Sequence, residues 1–302
     1  MCSSDLMTTK PWHGVLTATA LPFHADGSVD WDAYADHVAW QAASGCHGVV
    51  PNGSLGEYQV LTDDERRRVV EVAIAASPSG FTVMPGVAAY GAQESREWAE
   101  HAANAGAQCV MLLPPNAYRA DERAVIEHYR IVNEVGIPII AYNNPFDTKV
   151  DLTPALLGKL HAEGLIVGVK EFSGDARRAY EIAEYAPELD VLIGSDDVLL
   201  ELAIAGAVGW VSGYPNAFPI TCVDLYELAM DKNLDEVLPL YRMMHPLLRW
   251  DSKTEFVQAI KLSMDMVGRK GGACRPPRQP LTTEQEAVVR AATQVAIDAG
   301  AR

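Results

Sequence analysis

Lys170 ends the apolar run Leu165-Ile166-Val167-Gly168-Val169 and is followed by Glu171-Phe172-Ser173-Gly174-Asp175. Such a run reads as a buried parallel strand, and Ser-Gly-Asp reads as the turn that leaves it. A lysine there points its amine into a partly dry cavity. Desolvation disfavours the ammonium and lowers its pKa. Bringing a lysine from about 10.4 to near 7 takes on the order of 4–5 kcal/mol of environment. A neutral amine can attack a carbonyl carbon and form a Schiff base. A lysine snorkelling to the surface is the ordinary alternative. Lys261, within Val257-Gln258-Ala259-Ile260-Lys261-Leu262, is the rival, but it falls on a helix where snorkelling is common.

Two further segments carry groups that could serve such an amine. Pro51-Asn52-Gly53-Ser54-Leu55-Gly56-Glu57 sets two glycines three apart, beside the Ser54 hydroxyl. Backbone N–H groups of a turn like this can converge on a small carboxylate. The same spacing fits an ordinary turn with Glu57 solvated or paired locally. Ala141-Tyr142-Asn143-Asn144-Pro145 brings a phenol to a strand end. Tyr142 could shuttle a proton there. Taken alone it also fits a packed aromatic with its hydroxyl satisfied.

The elements that must position these groups repeat. Short apolar runs predict strands over 14–21, 46–52, 81–87, 108–113, 137–143, 166–171, 190–194 and 208–213. Helical patterns fall between them, over 30–44, 62–77, 93–105, 121–135, 153–163, 175–186 and 196–205. Asp30 precedes the first, Thr62-Asp63-Asp64-Glu65 fits a capping box, and Thr153-Pro154 puts proline at a first helical position. Eight β-α units in series predict an α/β protein, a (β/α)8 TIM barrel, with reacting groups at the carboxyl ends of its strands. A doubly wound sheet is the alternative, but Gly14-Val15-Leu16-Thr17-Ala18-Thr19 lacks its glycine fingerprint. Helical patterns over 217–231, 233–249, 252–267 and 283–299 predict a C-terminal helical extension. The division is a flexible leader over 1–10, a barrel over 11–230 and a C-terminal helical domain over 231–302.

Of the 302 residues 49% are hydrophobic, and the formal net charge is −16. That charge disfavours a nucleic-acid partner, which needs a basic face. No apolar run is long enough to span a membrane, and the first residues lack the pattern of a signal peptide. Cys2, Cys46, Cys109, Cys222 and Cys274 form no C-x-x-C pair. They read as free thiols of a reducing compartment, which points to the cytoplasm.

Taken in order, the turn Gly53–Glu57, the strand end Tyr142-Asn143-Asn144-Pro145 and the stretch Gly168–Asp175 resemble the dihydrodipicolinate synthase / N-acetylneuraminate lyase superfamily of class I, Schiff-base lyases. Gly194-Ser195-Asp196-Asp197 and Gly209-Trp210-Val211-Ser212-Gly213 support the likeness, which runs from Gly14 to Leu281. The resemblance implies that Lys170 forms an imine with a pyruvate-like 2-oxo acid and that Tyr142 relays protons. It implies that Gly53, Ser54 and Leu55 hold the C1 carboxylate, that Val211 closes the other side of the pocket, and that Asn144 belongs to the same substrate site. It further implies homotetramers, or homodimers, that need no metal or other cofactor.

The chain departs from the synthases of that superfamily. They carry paired threonines where Ser54-Leu55 stands. Tyr118 is the nearest counterpart of their relay tyrosine from a neighbouring subunit, and it is displaced. Asp147 stands five residues after Tyr142, where they place an arginine for a carboxylate. Tyr142–Pro145 followed by Val150-Asp151-Leu152-Thr153-Pro154 resembles the dehydratase and deaminase branches instead. So do Leu248-Arg249-Trp250-Asp251 and Arg275-Pro276-Pro277-Arg278-Gln279-Pro280-Leu281. Within those branches the 1-pyrroline-4-hydroxy-2-carboxylate deaminases match best. The leading expectation is a Schiff-base lyase with deaminase, dehydratase or aldolase chemistry. A genuine dihydrodipicolinate synthase, disfavoured by Leu55 and Asp147, and a non-catalytic 2-oxo acid binder stand as alternatives. A metal-dependent barrel enzyme is weaker still, because His13, His24, His47 and His101 show no ligand spacing at two strand ends.

Overall fold

The computed structural model describes residues 10–302. The leader expected over 1–10 falls outside them, except for Lys10.

All eight runs form strands: β1 (Gly14–Ala18), β2 (Gly48–Val50), β3 (Thr82–Val83), β4 (Val110–Leu112), β5 (Ile139–Asn143), β6 (Gly168–Glu171), β7 (Asp190–Ile193) and β8 (Gly209–Ser212). They pair in parallel in the order β3-β2-β1-β8-β7-β6-β5-β4. A parallel bridge between Gly86 and Met111 joins the two edges, so the sheet curls into a barrel. The strands are shorter than the apolar runs. Parallel pairing uses only part of each run, and the rest turns towards a helix or a loop.

Strand side chains alternate between two destinations, as the twofold period requires. Leu16, Val50, Met84, Met111, Ile140, Leu192 and Val211 meet inside the barrel. Val15, Val49, Val83, Val110, Ile139, Val169, Ile193 and Trp210 face the surrounding helices. Gly168 keeps the inner layer from overfilling. A Cβ there would lie 2.9 Å from Ile140 Cδ1.

The helices follow the expected order: α1 (Trp31–Ala43), α2 (Asp63–Ala76), α3 (Ala92–Ala105), α4 (Glu122–Asn133), α5 (Pro145–Thr148), α6 (Pro154–Ala162), α7 (Arg177–Tyr185) and α8 (Leu199–Ile204). Then come α9 (Pro219–Met230), α10 (Leu234–Leu248), α11 (Phe256–Met266) and α12 (Thr283–Asp298). Asp30 caps α1, and Thr62 with Glu65 forms the capping box of α2. The one-turn α5 was not anticipated; Asn144 caps it and Pro145 opens it.

One boundary matters for the site. The pattern over 252–267 predicts a helix from residue 252, yet α11 begins at Phe256. Residues 250–255 instead make turns, with Trp250 buried at one end and Lys253 N–H donating to Trp250 O at 3.0 Å. The four helices from α9 onward pack on one another and against the barrel. They bring these turns to the carboxyl ends of the strands.

Candidate active site

Lys170 is the inward residue at the end of β6. Tyr142 stands directly beside it on β5, because the two strands pair Tyr142 with Lys170. Both side chains are buried, and the Lys170 amine lies 4.4 Å from the centre of the Tyr142 ring. Gly194, just past β7, leaves the lysine stem its room. A Cβ there would sit 3.0 Å from Lys170 Cγ and 2.5 Å from Glu171 O. Burial pushes the Lys170 pKa down, while Asp251 and Asp196 push it up; the net direction is down. Burial likewise raises the Tyr142 pKa, with Asp251 adding to it, so the phenol keeps its proton. Asn144 Nδ2 lies 3.4 Å from Tyr142 Oη as a donor, which leaves the phenol proton free to be given away.

The turn after β2 opens on the same cavity through Gly53, Ser54 and Leu55. Its own bonds run from Gly56 N–H to Gly53 O and from Glu57 N–H to Ser54 O. Among the described residues, the Ser54 and Leu55 N–H groups have no protein acceptor. Glu57 corrects one expectation: it is neither solvated nor paired locally. It is buried at φ 55, and its carboxylate takes the Lys261 ammonium at 2.7 Å and the Arg275 N–H at 2.9 Å. Lys261 corrects another, since it does not snorkel. Its side chain is 1% exposed and spans from α11 to this turn. The rival lysine therefore holds this turn in place, and Lys170 faces the cavity.

Asn144 and Val211 also line the cavity. Asn144 is committed to Asp147, donating to its carboxylate at 2.9 Å and accepting its N–H at 3.2 Å. Asp147 thus stands fixed in the wall. Tyr118 is exposed and lies outside the cavity wall of its own chain, whereas Asn116 from the same segment lines it. Glu171 faces outward and ties β5 to the next turn through Asn143 and Ser173.

Arg66 has no place in the sequence reading, and Asp196 and Asp251 enter it only within stretches that carry the family likeness. Arg66 of α2 is buried under the rings of Trp98 and Tyr58 and reaches the cavity, giving Nη2 to Ala88 O at 3.0 Å. Asp196 is buried and takes bonds from Trp210 Nε1 at 2.8 Å and Ser212 Oγ at 2.9 Å. Asp251, on the turns before α11, lines the cavity wall. Burial raises its pKa to about 7, although Lys170 pulls it down. The signal for Asp251 was present: Asp251-Ser252-Lys253-Thr254 interrupts the apolar period and reads as a turn.

The cavity encloses about 950 Å³, ample for a small acid and a second reactant. Among the described residues no three His, Cys, Asp or Glu side chains are grouped to hold a metal ion. None of the described helices is long and apolar enough to cross a membrane.

The sequence matches the dihydrodipicolinate synthetase family over residues 11–296. A 4-hydroxy-tetrahydrodipicolinate synthase of Methanothrix thermoacetophila is 34% identical over 282 residues, covering 92% of this chain and 95% of that protein. A Halobacterium salinarum protein named as an uncharacterized DapA-like lyase is 31% identical, with 92% of each chain covered. The crystal structure of the dihydrodipicolinate synthase from Aquifex aeolicus superposes with a TM-score of 0.89 at 25% identity, over 96% of this chain and 99% of that one. With its barrel, its strand-end lysine and a match along nearly its full length, the chain belongs to the dihydrodipicolinate synthetase family of lyases.

Proposed function

We propose that the protein is a Schiff-base lyase acting on a pyruvate-like 2-oxo acid or its cyclic imine, with dehydratase or deaminase chemistry. The observation that carries this is the buried Lys170 amine, set beside the Tyr142 phenol at the cavity end of adjacent strands. The neutral amine attacks C2 of the substrate. From an open 2-oxo acid it expels the carbonyl oxygen as water; from a cyclic imine it displaces the ring nitrogen as an amine. Loss of a C3 proton then turns the lysine imine into an enamine. Tyr142 holds the proton that these transfers need. The free N–H groups of Ser54 and Leu55, with the Ser54 hydroxyl, suit the C1 carboxylate. Asp147 disfavours a second carboxylate near it. The reading includes a homotetramer or homodimer, as the family resemblance implies.

The names of the curated relatives favour a second reading, 4-hydroxy-tetrahydrodipicolinate synthase. One experiment separates the two. The enzyme is treated with borohydride in the presence of pyruvate, and again with 1-pyrroline-4-hydroxy-2-carboxylate, then mapped by peptide mass. An adduct on Lys170 with ammonia release from the pyrroline supports the deaminase. An adduct with pyruvate alone, together with formation of 4-hydroxy-tetrahydrodipicolinate when aspartate semialdehyde is added without borohydride, supports the synthase. Absence of any adduct on Lys170 would remove the Schiff-base reading.

A further inference from the structure

We infer that the Asp251 carboxyl is the acid that hands a proton to the departing hydroxyl when a Lys170-bound substrate carrying a C4 hydroxyl loses water. The inference rests on the Schiff-base reading above and deepens it. Asp251 is not on the barrel. The turns between α10 and α11 deliver it, and those turns are pinned on both sides. Trp250 is buried at 3% exposure, and Ser252 Oγ donates to Asp197 Oδ1 at 3.1 Å. Gly213, past β8, keeps this corner open: a Cβ there would stand 2.5 Å from Ile260 Cδ1 and 3.3 Å from Asp251 Oδ1. Asp251 thereby shares the cavity wall with Lys170, Tyr142, Ser54 and Leu55.

The other carboxyls nearby are less suited. Asp196 has one oxygen on Trp210 and the other on Ser212. Asp197 is held by Ser252, and Asp147 by Asn144. Asp251 shares the cavity wall with Lys170 and Tyr142, and its charge and that of the Lys170 amine act on each other. A site with two proton carriers around one amine suits a reaction with two proton demands. Tyr142 serves the carbon and nitrogen transfers. Hydroxide is a poor leaving group, so elimination needs an acid of its own. A carboxyl that burial brings to about 7 is half available as an acid at neutral pH.

The step balances. The enamine nitrogen pair re-forms the C2=N bond, and the C2=C3 pair becomes C3=C4. The C4–O bond breaks with its electrons on oxygen, which takes the Asp251 proton and leaves as water. The aspartate left behind faces the new iminium cation. The substrate class is a 2-oxo acid, or its five-membered cyclic imine, with a hydroxyl on C4.

The test uses the full-length enzyme and Asp251→Asn. The pyruvate adduct on Lys170 is still expected to form under borohydride. Turnover of the C4-hydroxyl substrate is expected to fall about 10²–10⁴-fold. With a 4-fluoro-2-oxo acid the loss should shrink to about tenfold or less, because fluoride departs with little help from an acid. Asp251→Glu should recover part of the lost rate, and far-UV circular dichroism checks that both variants fold. Asp251→Asn turnover within about threefold of wild type would overturn the inference, as would equal losses on both leaving groups. Loss of trapping in a folded Asp251→Asn would assign Asp251 to holding Lys170 instead, which also overturns it. Failure of the wild type to trap pyruvate would sink the Schiff-base reading itself.

Discussion

Lys170, Asp251 and Asp196 titrate as neighbours, so each substitution must be read through the others. Burial disfavours charge on all three, and the lysine and the carboxyls offset one another. Lys170→Met removes the cation that pulls Asp251 down. The Asp251 carboxyl should then titrate above its present value of about 7, which the carboxyl infrared band read against pH will show. The converse holds for Asp251→Asn. Lys170 loses a counter-charge, its pKa falls further, and the rise of imine trapping with pH shifts to lower pH. Asp196, Tyr142 and Phe172 are the other groups around that amine. Tyr142→Phe keeps the ring and removes only the proton carrier. Turnover is expected to drop about 10²-fold or more while the borohydride adduct still forms. An unchanged turnover number with weaker binding would reject the relay role.

At the scale of elements, position is set by contacts between segments far apart in the chain. The turn over residues 53–57 ends on a left-handed Glu57, a backbone state uncommon outside glycine, and the Lys261 ion pair from α11 holds it. Lys261→Met strands a buried carboxylate and should cost about 3–5 kcal/mol in chemical denaturation. Adding Glu57→Gln should recover much of that, since the charge is then gone as well. A double variant as unstable as the single one would mean that the pair is not the source of the loss. Gly194 shows the same dependence from the strand side. Gly194→Ala presses on Glu171 O and the Lys170 stem, and should cost about 1–3 kcal/mol and slow trapping.

At the scale of the whole molecule, the barrel is tied at the end opposite the site by Asp190, at the start of β7. Lys10, Trp12 and His13 all donate to its carboxylate. Burial pushes Asp190 up, but these bonds outweigh it and hold it at about 2. A carboxyl lowered on folding stabilises above its unfolded pKa near 4 and stops doing so as pH falls towards 2. Asp190→Asn should therefore cost about 2 kcal/mol at pH 7, and calorimetry should show the gap to wild type closing between about pH 4 and pH 2. Much of this molecule was legible in the chain itself. A buried parallel strand needs a continuous apolar run, and eight such runs between helical periods specify a barrel. A lysine or tyrosine ending such a run stands out for the same local reason. Neither the pairing of Glu57 with Lys261 nor a place in the cavity wall for Arg66 and Asp251 is legible in the same way. Their types are ordinary on helices and turns, and what sets their place is a partner from a distant segment. Local periodicity records which face of an element is apolar; it does not record which other face will meet it. Only closing the barrel and folding α10 and α11 against it decided that Lys261 would be buried and that Asp251 would share a cavity with Lys170.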